Sequence, residues 1–224
     1  MKYLLLCFLS VLPVISVAHE PVDHYDRVQL SASAQAQVDN DTVIAVLYSQ
    51  EEGSDAVQLT GLVNERVNEA VELLQQYESI KFQTSAYSTS PVYHKSKVTG
   101  WRVRQTLRLE SQDMALMSKV VGQLQQALAL QGLSFTVSPE LKKKTDDQLI
   151  DQALIKFQQR ALRITQQLGR KNYKIVDIDV STSTGHYPRP QYEAAMMASK
   201  AAAPVIEAGE QTLKVRASGQ IEME

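Results

Sequence analysis

From Val28 the chain alternates. Val28, Leu30, Ala32, Ala34, Ala36 and Val38 fall on one side, with Gln and Ser residues between them. A period of two is that of a half-buried strand. Asp39-Asn40-Asp41 is a turn cluster. Thr42 to Glu51 then alternates again through Val43, Ala45 and Leu47, which predicts a hairpin of the two runs. Gly53-Ser54 ends the second run, with Ser54 placed to cap a helix. Leu59, Leu62, Val63, Val67, Ala70, Val71 and Leu74 recur at spacings of three and four. They predict a long amphipathic helix whose wet side carries Glu65, Arg66, Glu69 and Glu72.

Ile80 to Ser90 and Lys97 to Glu110 read as strands, with a turn at His94 to Lys97. A second helix is expected from about Asp113 to Gln131, with Met117, Val120, Val121, Leu124 and Leu128 inward and Gly132 as its stop. Leu133 to Val137 is a short strand halted by Pro139. Thr145-Asp146-Asp147 opens a third helix with the stripe Leu149, Ile150, Ala153, Leu154, Phe157, Ala161, Ile164 and Leu168, closed by Gly169. Tyr173 to Val180 alternates, with Ile175, Asp177 and Asp179 on one face. A long loop is expected over residues 181–211, and a last strand places Leu213, Val215, Ala217, Gly219, Ile221 and Met223 inward. Strands in consecutive runs predict an α+β fold, mostly antiparallel sheet with three amphipathic helices, rather than a doubly wound parallel sheet. One domain is expected over residues 28–224, after a polar lead-in at residues 19–27.

The first residues change the expected compartment. Lys2 precedes an apolar run from Leu4 to Ile15, and Ser16-Val17-Ala18 ends it with small residues at the positions a signal peptidase reads. Residues 1–18 are expected to be a signal peptide cleaved after Ala18, which delivers the rest to the periplasm. A membrane anchor would want about 20 apolar residues. A lipoprotein would want a small residue before Cys7, where Leu4-Leu5-Leu6 stand. Cys7 is the only cysteine, so the mature chain is expected to be held by packing alone, without disulfide, thiolate nucleophile or thiolate ligand. The net charge is -2 and becomes more negative once Lys2 is lost. That balance supplies no global field for nucleic acid. After the leader no transmembrane segment is expected.

Thr84, Pro91-Val92-Tyr93 and Gly100-Trp101, followed by Val103, Leu107 and Leu109, form a distinctive ordered set. Two further sets follow it. One is an alanine-bearing helix ending in Leu168-Gly169. The other is a Pro/Met-rich stretch with Pro188, Met196, Met197 and Pro204 leading to Gly209-Glu210. In this order the chain resembles the SIMPL-domain family of bacterial periplasmic and outer-membrane-associated proteins, over about residues 28–224. It departs from the family at Trp101, where Tyr is usual, and at Gln158-Gln159-Arg160, where the helix is often alanine-rich. The resemblance implies an α+β fold, assembly into homo-oligomers that are ring-like in some members, and an association with envelope integrity and stress tolerance. It implies no established reaction and no cofactor.

The residues themselves offer little catalytic chemistry. Nucleophilic catalysis needs a base beside its nucleophile, and the four histidines, His19, His24, His94 and His186, lie in the lead-in and in expected loops. No Gly-x-Ser-x-Gly elbow or glycine-rich phosphate loop occurs, so no catalytic residue and no metal ligand is expected. Arg102, Arg104 and Arg108 share one face of their strand by period two, with Lys95 and Lys97 at the adjacent turn. This is the best anion- or partner-binding candidate in the sequence; the plainer alternative is a wet sheet face paired with acids on neighbouring strands. Tyr187, Pro188, Arg189 and Tyr192 have the rigid, aromatic character of a partner-docking loop. Residues and resemblance together predict an exported, non-enzymatic, oligomeric envelope protein with a role in envelope integrity or stress tolerance; the alternative is a periplasmic ligand- or metal-binding module.

Overall fold

The computed structural model describes residues 25–184 and 208–224. The described residues form β1 (Arg27–Asp39), β2 (Thr42–Gly53), α1 (Ala56–Leu74), β3 (Lys81–His94), β4 (Lys97–Ser111), α2 (Met114–Leu124), β5 (Ala129–Thr136), α3 (Pro139–Gln167), β6 (Tyr173–Thr184) and β7 (Glu210–Met223). The strands make two sheets, ordered β3-β4-β2-β5 and β1-β7-β6, with every pair antiparallel. The fold is α+β, as the sequence predicts.

The four-stranded sheet has a recognisable path. β2, α1, β3, β4, α2 and β5 run in the order β-α-β-β-α-β, and the first strand lies beside the third and the fourth. This is the split βαβ arrangement of ferredoxin-like units. Helices α1 and α2 cover one face. Val43, Ala45 and Leu47 of β2 and Leu107 and Leu109 of β4 meet Val67, Ala70 and Leu74 of α1 and Met117, Val120 and Leu124 of α2 in one core. The three-stranded sheet has its own core, where Leu149, Ala153, Phe157 and Ala161 of α3 pack on Leu30, Ala32, Ala34, Leu213, Val215 and Ala217. Period two supplies the sheet faces and a spacing of four supplies the α3 stripe.

Several expectations fail, each for a physical reason. β1 and β2 do not form a hairpin; they enter different sheets. Their connection is taken up instead by distant partners. The Asn40 backbone N–H donates to Gly209 O at 3.0 Å, and its Nδ2 donates to Ala208 O at 2.7 Å. The neighbouring Asp41 carboxylate accepts from Ser138, the N-cap of α3. α3 therefore opens at Ser138-Pro139, six residues before Thr145-Asp146-Asp147: Pro139 starts a helix rather than stopping a strand. α2 ends at Leu124, not near Gln131, because Gln126 and Ala127 close a tight turn back to Gln123 and Leu124. β5 begins at Ala129, before Gly132. The cap of α1 is Asp55, not Ser54; its side chain accepts from Val57 and Gln58.

Both ends of the span expected as a loop, residues 181–211, are strand, and residues 185–207 lie outside the described residues. β6 keeps pairing with β7 through Thr184↔Leu213, and β7 starts at Glu210; Ser and Thr sustain the ladder as β-compatible residues. A register shift between Ile175 and Asp177 also separates two residues expected on one face. The bulge puts Ile175 opposite Ile221, on the α3 side with Ile178 and Val180, and leaves Asp177 and Asp179 on the other side. Gly219 makes room there: a Cβ at that position would stand 2.2 Å from Asp177 O.

Candidate functional site

The arginine row lies where period two puts it. In the β2–β4 ladder Glu52 faces Arg102, Gln50 faces Arg104 and Val46 faces Arg108, on the side away from α1 and α2. Their guanidiniums have partners within the chain. Arg102 is ion-paired with Glu52. Arg108 pairs with Glu110 at 2.7 Å. Arg104 lies 3.7 Å over the Tyr48 ring and donates to Gln131 Oε1 at 2.6 Å. A cation stacked on an aromatic ring and charges held by adjacent carboxylates present less free field than three bare guanidiniums.

Lys95 and Lys97 are set apart from that row. β2 ends at Gly53, opposite Trp101, so the β3–β4 hairpin runs on beyond it as a two-stranded ribbon from Pro91 to Gly100. Its turn holds Lys95 and Ser96 at φ 47° and 66°. Two central residues at positive φ are the requirement of a type I′ hairpin turn, whose twist matches the strands. Next to it the cross-strand pair Tyr93 and Val98 is 63% and 51% exposed. The tip thus combines two lysines with exposed apolar side chains.

Tyr187, Pro188, Arg189 and Tyr192 lie outside the described residues, as do His19, His24 and His186. His94 is the last residue of β3. Among the described residues no group of three or more His, Cys, Asp or Glu side chains is placed to hold a metal ion. Among them, too, no helix is long and apolar enough to cross a membrane.

The described residues line recesses on the surface, two of which carry charged groups. One, about 640 Å³, lies between one end of the four-stranded sheet and the N-terminus of α3 and mixes charges: Lys81 with Glu110, Asp113 and Glu140. Beside it, burial of the Asp41 carboxyl pulls its pKa up, but hydrogen bonds from Ser138 Oγ and N, from Thr42 and from its own backbone outweigh this and hold it below the ordinary value. The other recess, about 510 Å³, is lined by Ser31 and Ser33 of β1, Lys156, Arg160 and Arg163 of α3, and Lys214 and Arg216 of β7, among others. None of these cations was singled out from the sequence. Arg160 was named there only within Gln158-Gln159-Arg160, as a departure from the family pattern. The one available signal was the lack of any Asp or Glu from Gln152 to Gln167.

The family whose model matches residues 28–221 is described as "SIMPL: Protein of unknown function (DUF541)". No curated protein matches the chain. A match that runs from the second residue of β1 to near the end of β7 takes in both sheets and all three helices, and the chain belongs to the SIMPL family.

Proposed function

We propose that this chain is an exported, non-enzymatic envelope protein that works as an assembly of identical copies, in support of envelope integrity under stress. The observation that carries assembly is a pair of long strand edges that have no neighbouring strand among the described residues, β3 in one sheet and β6 in the other. An unpaired edge is a template for another strand unless charge, proline or a covering element blunts it. From Phe82 to Tyr93 β3 bears no charged residue, and Pro91 is its one proline. On β6, α3 leaves Ile175, Ile178 and Val180 at 39%, 41% and 38% exposure. β1 is different, because Arg160 and Lys156 of α3 sit on its free carbonyls at Ser31 and Ser33.

Pairing β6 with a second β6 about a two-fold axis would bring Asp177 and Asp179 together with their copies, which like charges oppose. Pairing β6 of one copy with the neutral β3 of the next avoids this. Such a head-to-tail contact closes into a ring when its rotation permits. Export rests on the pattern of Met1 to Ala18.

Light scattering on the leaderless protein at micromolar concentration is expected to give a mass of several chains. Ile178→Lys, on an exposed position, is expected to lower it without loss of the folded circular-dichroism spectrum. A clean monomer for the parent protein removes the assembly. Protein recovered from cells is expected to begin at His19 and to leave with the envelope fraction; a chain beginning at Met1 in the cytosol removes export.

A further inference from the structure

The recess beside the second half of α3 gathers five cations and is lined by no carboxylate. Among the described residues Lys156, Arg160, Arg163, Lys214 and Arg216 have no acidic partner, whereas Arg27, Arg66, Arg102, Arg108 and Arg170 each have one. The neighbours across the ladders are neutral too. Lys214 stands between Gln35 and Ser183, and Arg216 between Ser33 and Ser181. Arg160 and Arg216 converge on one residue, Arg160 at the Ser31 carbonyl and Arg216 on its hydroxyl at 2.9 Å. Along α3, Lys156, Arg160 and Arg163 follow at spacings of four and three, where like charges repel.

Shielding of a strand edge accounts for Lys156 and Arg160, which hold the free carbonyls of β1. It does not account for Arg163, Lys214 or Arg216. Like charges gathered around a recess raise its potential and draw anions to it. Three guanidinium forks with two ammonium groups and two serine hydroxyls suit the oxygens of phosphate. The volume of about 510 Å³ exceeds one phosphate and falls in the range of small-molecule sites.

We propose that this recess binds a compact ligand carrying two or more clustered phosphate groups. The source is either a soluble polyphosphate or the headgroup of an anionic phospholipid. The site stands whether or not the protein assembles.

Calorimetric titration of the leaderless protein with inositol hexakisphosphate at physiological salt tests the chemistry. Co-sedimentation with cardiolipin vesicles, against phosphatidylcholine vesicles, tests the source. Saturable binding of the soluble probe is expected, weakening as salt rises. Arg163→Ser combined with Lys214→Ser, both exposed, is expected to weaken it about tenfold or more, with the melting temperature of the unliganded protein kept. Lys95→Ser with Lys97→Ser at the hairpin tip is expected to leave it unchanged. Binding of the probe without sedimentation assigns a soluble ligand; sedimentation on cardiolipin that the double variant loses assigns a headgroup. The proposal is overturned if the parent shows no saturable binding to either probe, or if the Arg163/Lys214 variant binds as tightly as the parent.

Discussion

Ser138 donates both its backbone N–H and its hydroxyl to the carboxylate of Asp41, at 2.6 Å each, across 97 residues of chain. The same hydroxyl oxygen accepts the Leu141 N–H at 3.3 Å and so caps α3. One carboxylate therefore orients the cap of the helix that covers the three-stranded sheet, from the residue just before the first strand of the other sheet. Removing either partner strands the other. Asp41→Ala and Ser138→Ala are each expected to cost about 1–2 kcal/mol, and the double variant less than their sum. Urea unfolding of the three variants measures the coupling.

The same contact sets an acid limb. The Asp41 pKa lies below its ordinary value of 3.8 in the folded chain. A carboxyl with a lowered folded pKa stabilises the fold above its unfolded pKa, and that contribution falls away as pH drops through the folded value. Stability is expected to be insensitive to this group near neutrality and to decline below about pH 4. In Asp41→Asn that part of the decline is absent. Unfolding midpoints taken at pH 7, 4 and 3 for both proteins decide it; equal acid sensitivity refutes the assignment.

Gly219 is expected to tolerate no side chain. A methyl there would meet the Asp177 carbonyl oxygen at 2.2 Å and Ile178 Cα at 3.0 Å, and both atoms belong to the backbone of the bulged strand. Gly219→Ala is expected to cost about 1–3 kcal/mol and to loosen β6 first, since among the described residues β6 pairs only with β7. Amide exchange should speed up in β6 and stay slow in β2 and β4.

The hairpin tip should move in the opposite direction. Lys95 and Ser96 hold positive φ, a conformation that costs most side chains about 1 kcal/mol or more and that Asn-Gly adopts readily. Lys95→Asn with Ser96→Gly is expected to raise the melting temperature. No gain would mean that the ribbon beyond Trp101 contributes little to global stability.

Much of this fold is legible in the residues because period two and period 3.6 are local signals. The inward face of β7, from Leu213 to Met223, and the stripe of α3 from Leu149 to Ala161 follow from spacing alone. What spacing does not reveal is which strand a strand meets. Two alternating runs joined by Asp39-Asn40-Asp41 look like a hairpin, yet β1 answers to β7 through the ladder Arg27↔Glu222 to Asp39↔Glu210. The end of α2 was hidden because Leu124, Leu128 and Leu130 satisfy both a helical and an extended pattern. The start of α3 was legible in Ser138-Pro139-Glu140, a cap with proline in the first turn, but a proline after a strand reads first as a stop. The basic recess was not legible, since its cations come from two elements about 50 residues apart that only the packing of α3 on β1 and β7 brings together.

The pairing of the first strand with the last also bears on how the chain comes into being. Arg27 meets Glu222 over a separation of 195 residues. At synthesis rates of roughly 5–20 residues per second that is a delay on the order of 10–40 s. Throughout it β1 has no neighbour, while the unit from Thr42 to Thr136 acquires all of its own strands and helices before β7 is made. A waiting strand of Val and Ile would invite capture by other chains. From Ser31 to Gln37 this one is spelled Ser-Ala-Ser-Ala-Gln-Ala-Gln, small and weakly sticky until its mate arrives.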